Sequence, residues 1–414
     1  MENTMTSLPV EQAQRIISEW VRPLGTMETV PLKDALFRVL AEDVISTVDV
    51  PFQDNAAMDG YAFCADNLDL TMPQTLRIAG SVHAGHRFEG IVPQGECVEI
   101  MTGGFIPAGC DTVVPLESVM VQDGFITMAA SAVAGGDHVR LRGEDVKAGE
   151  RTLKQGVLLK PAHLGLLASL GIAEVSVGKR LKVAIFSTGD ELCPIGAPLV
   201  AGGVYDSNRY ALDGMLKRLG CDVIDLGVIR DDPALIKAAF LEAARQADAI
   251  ITTGGASVGA ADYTKAVMSE LADVAFGSIN MRPGRPMAFA RMAAGEKMIS
   301  VFGLPGNPVA VMVAFYFFVR DALFYMMGTR PAPLPYMQVP TLSPLSKRRG
   351  RTEFQRGILS QNEQGEWVVR TTGAQGSGML SSMVQANCMI VLPSDSGDVG
   401  SGEKVAVVPF DGLV

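Results

Sequence analysis

The chain has 414 residues, 48% of them hydrophobic, and 35 Lys and Arg against 45 Asp and Glu, for a formal net charge of −10. That length predicts about three domains at ~150 residues each, and the composition is ample for a large buried core. An acidic chain has no long-range attraction for nucleic acid or an anionic membrane, so neither is expected as a partner, and an anionic ligand would need local positive charge or a bridging metal.

The polar start Met-Glu-Asn-Thr-Met-Thr-Ser lacks a secretory pattern. Cysteines 64, 97, 110, 193, 221 and 388 are widely spaced without Cys-x-x-Cys, which predicts reduced thiols and a cytoplasmic protein. Within residues 1–26 a helix is expected over 9–21, with Ile16, Ile17, Trp20 and Val21 on an apolar stripe that packs on an α/β domain or a dimer partner. Residues 27–46 and 146–178 read as two halves of a small α/β flanking region around a β-rich insertion at 47–145, with strands expected at 97–101 and 112–115.

Residues 179–329 alternate as a doubly wound, mostly parallel sheet requires. Strands are expected at 181–187, 222–229, 248–253, 286–291 and 298–302, and helices at 209–219, 233–247 and 308–327. The apolar run 309–319 is short of the ~20 residues that span a bilayer and predicts a buried helix. After the Pro-rich stretch Arg330-Pro-Ala-Pro-Leu-Pro, short alternating runs such as 366–371 and 404–409 predict a separate C-terminal β-barrel domain at 330–414. The fold class is therefore α/β plus β.

In such a sheet ligands bind outside the carboxyl ends of the strands. The strand at 248–253 runs into a turn whose Gly254, Gly255 and Gly259 let the backbone approach a phosphate, with Ser257 and Asp262 alongside. Ser187-Thr188-Gly189-Asp190-Glu191, Arg230-Asp231-Asp232-Pro233 and Gly303-Leu304-Pro305-Gly306-Asn307-Pro308 follow other strands. Arg282-Pro283-Gly284-Arg285-Pro286 reaches the same edge only if the strand after it runs antiparallel. Arg282 and Arg285 in a proline-stiffened loop suit bidentate capture of an oxyanion. Glu191, Asp231 and Asp262 would repel that anion unless a hard divalent cation sits between, which implies Mg²⁺. Asp231 reads equally as the N-cap before Pro233, and Asp262 also as a cap. Neither a P-loop nor a Gly-x-Gly-x-x-Gly follows a strand, and the basic run Lys347-Arg348-Arg349-Gly350-Arg351 lacks interleaved aromatics.

Taken together the motifs resemble the molybdopterin molybdenumtransferase family, which is also similar to the C-terminal domain of gephyrin. They include Asp54-Asn55-Ala56-Ala57-Met58-Asp59-Gly60-Tyr61, Ile100-Met101-Thr102-Gly103-Gly104, Arg142-Gly143-Glu144-Asp145, Phe186-Ser187-Thr188-Gly189-Asp190-Glu191-Leu192, the glycine turn with Asp262-Tyr263-Thr264-Lys265, the arginine loop, and Leu304-Pro305-Gly306-Asn307-Pro308. The resemblance implies a homodimer that inserts molybdate into adenylylated molybdopterin with Mg²⁺, releases AMP, and passes the cofactor to handover partners. It implies functional roles for Asp59, Thr102, Asp145, Glu191, Asp231 and Asp262, places Arg282, Arg285 and Pro305 to Pro308 on pterin-phosphate loops, and makes Arg351 and Ser377 molybdate contacts. Where many relatives carry a lysine, this chain has Ser278. Two other readings are the preceding adenylylation of molybdopterin and a non-catalytic, gephyrin-like scaffold.

Overall fold

Two strands of the α/β sheet, Lys182–Thr188 and Ala249–Thr253, are buried along nearly their whole length, the mark of strands covered by helices on both faces. A computed structural model describes residues 7–66, 68–254 and 263–411. The sheet runs in the order Asp222–Ile229, Lys182–Thr188, Ala249–Thr253, Lys297–Leu304, Ala288–Ala294 and Asp273–Phe276. The first four strands are mutually parallel; the last two alternate in direction.

The expected strands and helices are present with ends shifted by a few residues. The edge strand Asp273–Phe276 and the helix Tyr263–Leu271 were not anticipated. A four-residue edge strand carries too little alternation to register as a period. The expected strand at 286–291 begins only at Ala288 and extends to Ala294, because its partner Lys297–Leu304 pairs with all of that span.

Alanines give the helix Pro233–Gln246 a close fit on the sheet: Ala239, Ala243 and Ala244 are buried beside Phe240, which meets Phe186 edge-on at 5.1 Å. Its N-cap is Asp232, whose carboxylate accepts from the backbone N–H groups of Ala234 and Leu235 at 2.8 and 3.0 Å. The capping alternative for Asp231 is thereby corrected, and Asp231 is left for other work. The helix Pro308–Met326 has 19 residues and is long and apolar enough to cross a bilayer, but 83% of its most apolar 18-residue stretch is buried inside the protein. It includes a π-helical turn, Phe315–Val319.

Against it packs the N-terminal helix Val10–Trp20. Val10, Ala13, Ile17 and Val21 form its buried stripe, and Gln14 Nε2 donates to Phe317 O at 3.0 Å. Ile16 and Trp20, expected in the stripe, are only partly buried; Trp20 instead carries the Arg291 guanidinium 4.3 Å from its ring centroid. Beyond the sheet, Thr352–Gln361 pairs with Cys388–Leu392, then Lys404–Pro409, then Met337–Pro340, with Trp367–Thr371 on its other side. A bridge from Thr341 to Val369 joins the two outer strands and closes the ring. Met281–Arg282 adds in parallel to Thr352–Gln361.

All of these elements belong to one of two compact units, Met1–Thr29, Phe37–Ala41 and Ser176–Val414; the other is Val30–Leu36 with Glu42–Val175. The second unit is built on a sheet in the order Thr112–Pro115, Gly60–Phe63, Glu96–Ile100, Gln74–Val82, Phe125–Met128 and Val119–Gln122. Alternate residues feed two apolar clusters: Tyr61, Phe63, Cys97 and Val114 on one face, Ala62, Val98 and Val113 on the other.

Candidate active site

The strand order places a switch point between Lys182–Thr188 and Ala249–Thr253, whose chain connections leave in opposite directions across the sheet and open a crevice at their carboxyl ends. Glycine is obligatory there. Gly254 has φ +90°, and a Cβ on it would lie 2.1 Å from the carbonyl oxygen of Thr188. The turns after two strands also meet glycine to glycine, since a Cβ on Gly306 would sit 3.7 Å from Gly254 Cα.

A cleft of about 950 Å³ opens beside these turns. Of the expected residues, Glu191, Arg282, Arg285, Pro305, Asn307, Pro308, Arg351 and Ser377 line it. Because Ala288–Ala294 does run antiparallel to its neighbour, the arginine loop preceding it arrives at this edge, as the sequence reading required. Thr188 is buried, with its hydroxyl 3.2 Å from that of Thr264, so it does not line the cleft. Gly255, Ser257, Gly259 and Asp262 lie outside the described residues.

The cleft is cationic. Arg282, Arg285 and Arg351 are exposed in it. Arg282 Nη1 is 3.7 Å from the buried carboxylate of Glu353, whereas among the described residues no carboxylate lies within ion-pair distance of Arg285. Acids gather at its border. Glu191 folds back over Gly189 so closely that a Cβ there would be 2.7 Å from its carboxylate. Burial pushes the Asp231 carboxyl above its ordinary value, and the neighbouring charges of Asp190 and Glu191 push it further. Asp231 does not line the cleft, and among the described residues these acids do not form a set of three donors within 4.8 Å of one another; Cys64, Asp66 and Asp111 do.

Two residues that brace the cleft and its loops escaped the sequence reading. Asn208 is buried at the start of the helix Asn208–Arg218 and lines the cleft. Its Nδ2 donates to Thr253 Oγ1 at 3.0 Å and to Gly306 O at 2.7 Å, tying two strand-end turns together, while its Oδ1 has no partner among the described residues. In sequence it is an ordinary first-turn residue after Asp206-Ser207. Arg356 is fully buried and supplies the loop that carries Ser377 with its shape: it donates to Gly376 O at 2.9 Å, Gln375 O at 3.2 Å and Ser382 Oγ at 2.9 Å. Burial lowers its pKa. Its signal was a lone cation in an otherwise buried strand.

The second unit organises the remaining acids. Asp59 Oδ1 accepts from the Thr102 hydroxyl at 2.6 Å and the Thr102 N–H at 2.7 Å, contacts that hold its carboxyl below the usual value. Asp145 is exposed, and its N–H donates to Val50 O at 3.0 Å. Arg142 joins that motif to the first one, its N–H donating to Asp54 Oδ1 at 2.6 Å and its Nε to Asp49 Oδ2 at 2.6 Å.

A second, larger cleft of about 1150 Å³ sits at the amino ends of the parallel strands, lined by Lys182, Asp222 and Asp248 among others. It holds none of the expected residues and lies at the end of the strands that α/β sheets do not use for ligands.

Fold and cleft together define an α/β protein that presents a cationic cleft at a topological switch point. Residues 8–171, 184–325 and 338–410 match in turn the families described as "MoeA N-terminal region (domain I and II)", "Probable molybdopterin binding domain" and "MoeA C-terminal region (domain IV)". The chain is 42% identical to the molybdopterin molybdenumtransferase of Haemophilus influenzae over 98% of its own length and 100% of that protein. It is 34% identical to molybdopterin molybdenumtransferase 2 of Mycobacterium tuberculosis, over 96% and 98%. The crystal structure of a molybdopterin biosynthesis protein from Pyrococcus horikoshii superposes with a TM-score of 0.82 at 30% identity, covering 98% and 100% of the two chains. The chain belongs to the MoeA family of molybdopterin molybdenumtransferases, transferases of molybdenum cofactor biosynthesis. The resemblance drawn from the motifs is borne out.

Proposed function

We propose that the protein inserts molybdate into adenylylated molybdopterin with release of AMP, in the cleft at the strand ends. The observation that carries this reading is the meeting of Arg282, Arg285 and Arg351 with Glu191 in one cavity large enough for a pterin nucleotide. The guanidiniums of Arg282 and Arg285 bind and orient phosphate oxygens, and the rigid Pro305-to-Pro308 turn with Asn208 behind it holds the wall they face. Arg351 and Ser377 offer a planar cation and a hydroxyl to a second tetrahedral oxyanion, molybdate. Fixed donors of this kind stabilise charge that develops as the phosphoanhydride breaks, without reorganising during the step.

The donors at Glu191 and Asp231 are hard carboxylate oxygens, and burial first, with the charges of Asp190 and Glu191 added to it, raises the Asp231 pKa, a setting that suits a divalent cation. Glu191 and Asp231 would hold Mg²⁺, with Asp262 as the expected third acid. When bound, that ion supplies neutralisation of phosphoanhydride charge. Asp59, poised by Thr102, and Asp145 complete the reading from the second unit. We further propose that the protein works in the cytoplasm as a homodimer, the acids of one subunit serving the cleft of its partner.

The test is direct. Purified protein given adenylylated molybdopterin, molybdate and Mg²⁺ should release AMP in proportion to molybdenum incorporated. If it instead transfers AMP from ATP onto free molybdopterin, it is the adenylyltransferase, and the insertion reading fails.

A further inference from the structure

The first described residues of the chain are built into the arginine loop. Leu8 forms a parallel bridge with Ile279; its N–H donates to Ser278 O at 3.1 Å, and Asn280 N–H donates to Leu8 O at 2.7 Å. This short addition sets Ser7 where its hydroxyl lies 2.8 Å from the hydroxyl of Ser278, one donating to the other. Arg285 Nε donates to Ser7 Oγ at 3.3 Å, and the backbone of the same arginine is held by Ile279, whose N–H donates to Arg285 O at 2.9 Å.

A guanidinium is a planar fork of five donors. With Nε engaged by an uncharged hydroxyl, the plane is oriented while the full positive charge is kept, and no hydrogen-bond partner among the described residues takes the terminal nitrogens. A carboxylate would have oriented it too but would have neutralised it, as Glu353 partly does for Arg282.

We propose that Ser7 is a positioning residue for Arg285, so that the N-terminal segment pre-orders one anion contact of the cleft for a tetrahedral oxyanion. The inference rests on the oxyanion-transfer reading of the same site. Two sources share that chemistry, the phosphate of the pterin nucleotide and molybdate itself, and they are separable by varying one while saturating the other. Holding a long side chain in its binding rotamer before the ligand arrives lowers the cost of association.

The experiment uses the full-length protein and its Ser7→Ala, Ser7→Thr, Arg285→Lys and Ser7→Ala/Arg285→Lys variants. Ser7→Ala should raise KM by about three- to tenfold for one of the two anions while kcat and the thermal midpoint stay unchanged. The anion whose KM moves is the one Arg285 holds. Ser7→Thr, which keeps the hydroxyl, should restore the wild-type KM. Lysine has no Nε–H to orient, so Ser7→Ala should add nothing in the Arg285→Lys background. Unchanged KM for both anions, or an undiminished Ser7→Ala effect in the Arg285→Lys background, overturns the proposal. Were the wild type to show no insertion activity, the reading of the site would fall, and titration of wild type and Ser7→Ala with inorganic phosphate would still decide this inference: equal affinities overturn it, and a weaker variant supports it.

Discussion

Gly254 shows how a single residue type can decide a site. The turn after the third strand of the α/β sheet passes so close to Thr188 that a methyl group would overlap its carbonyl oxygen, and the φ of +90° penalises any side chain. Gly254→Ala should therefore cost more than about 1 kcal/mol of stability in denaturant titration and displace the wall of the cleft. Asp59 makes a second residue-scale case. Its carboxyl is held below the ordinary 3.8 chiefly by the Thr102 hydroxyl, so the ionised form is favoured in the folded state. The contribution to stability is present above the unfolded value and is lost as pH falls through the depressed folded value. Thr102→Val should move the Asp59 titration, followed by carboxyl NMR, back toward 3.8; no movement would show that the hydroxyl does not set it.

At the scale of elements, the helix Pro233–Gln246 separates two adjacent acids by job. Asp232 caps the helix, and Asp232→Ala should lower stability by about 1 kcal/mol. Asp231 is held against desolvation and like charge, so Asp231→Ala should not destabilise the apo fold, while it should weaken Mg²⁺-dependent activity. Equal losses from both substitutions would undo this division. The sequence offered the cap role to Asp231, one residue too early, because a cap is chosen by backbone geometry that residue spacing does not fix. Arg356 acts on the strand and loop that present Ser377: replacing it with Leu removes the donors of the Gly376 and Gln375 carbonyls, which lie in a partly solvated loop, at about 1 kcal/mol for each hydrogen bond lost. Arg356→Leu should melt earlier and, where still folded, bind molybdate more weakly in calorimetry.

For the whole molecule, the acids Asp59 and Asp145 and the arginine cleft lie on different compact units of the chain. If each cleft is completed by the acids of a partner subunit, two inactive variants can repair one another. Asp59→Asn and Arg282→Glu homodimers should both be inactive, and after subunit exchange the mixture should recover about a quarter of wild-type activity, since half of the dimers are mixed and each has one intact site. A mixture as inactive as its parents would place the site within one chain.

The periodic signals of the α/β region were legible because a buried strand and an amphipathic helix write their solvent contacts directly into residue spacing, and the turn-rich motifs after the strands marked an edge for the same local reason. Glycine turns, proline-stiffened arginines and the acids at strand ends could thus be named from sequence. What it could not decide was convergence. The direction of the strand Ala288–Ala294, which brings Arg282 and Arg285 to the cleft, depends on its partner, not on its own residues. Thr188 turned inward while Asn208 and Ser7 turned out to brace the walls, because a hydrogen bond between distant segments has no period to read. Local chemistry is set by neighbours in the chain; which of those chemistries share a cavity is set by the pairing of strands far apart in it.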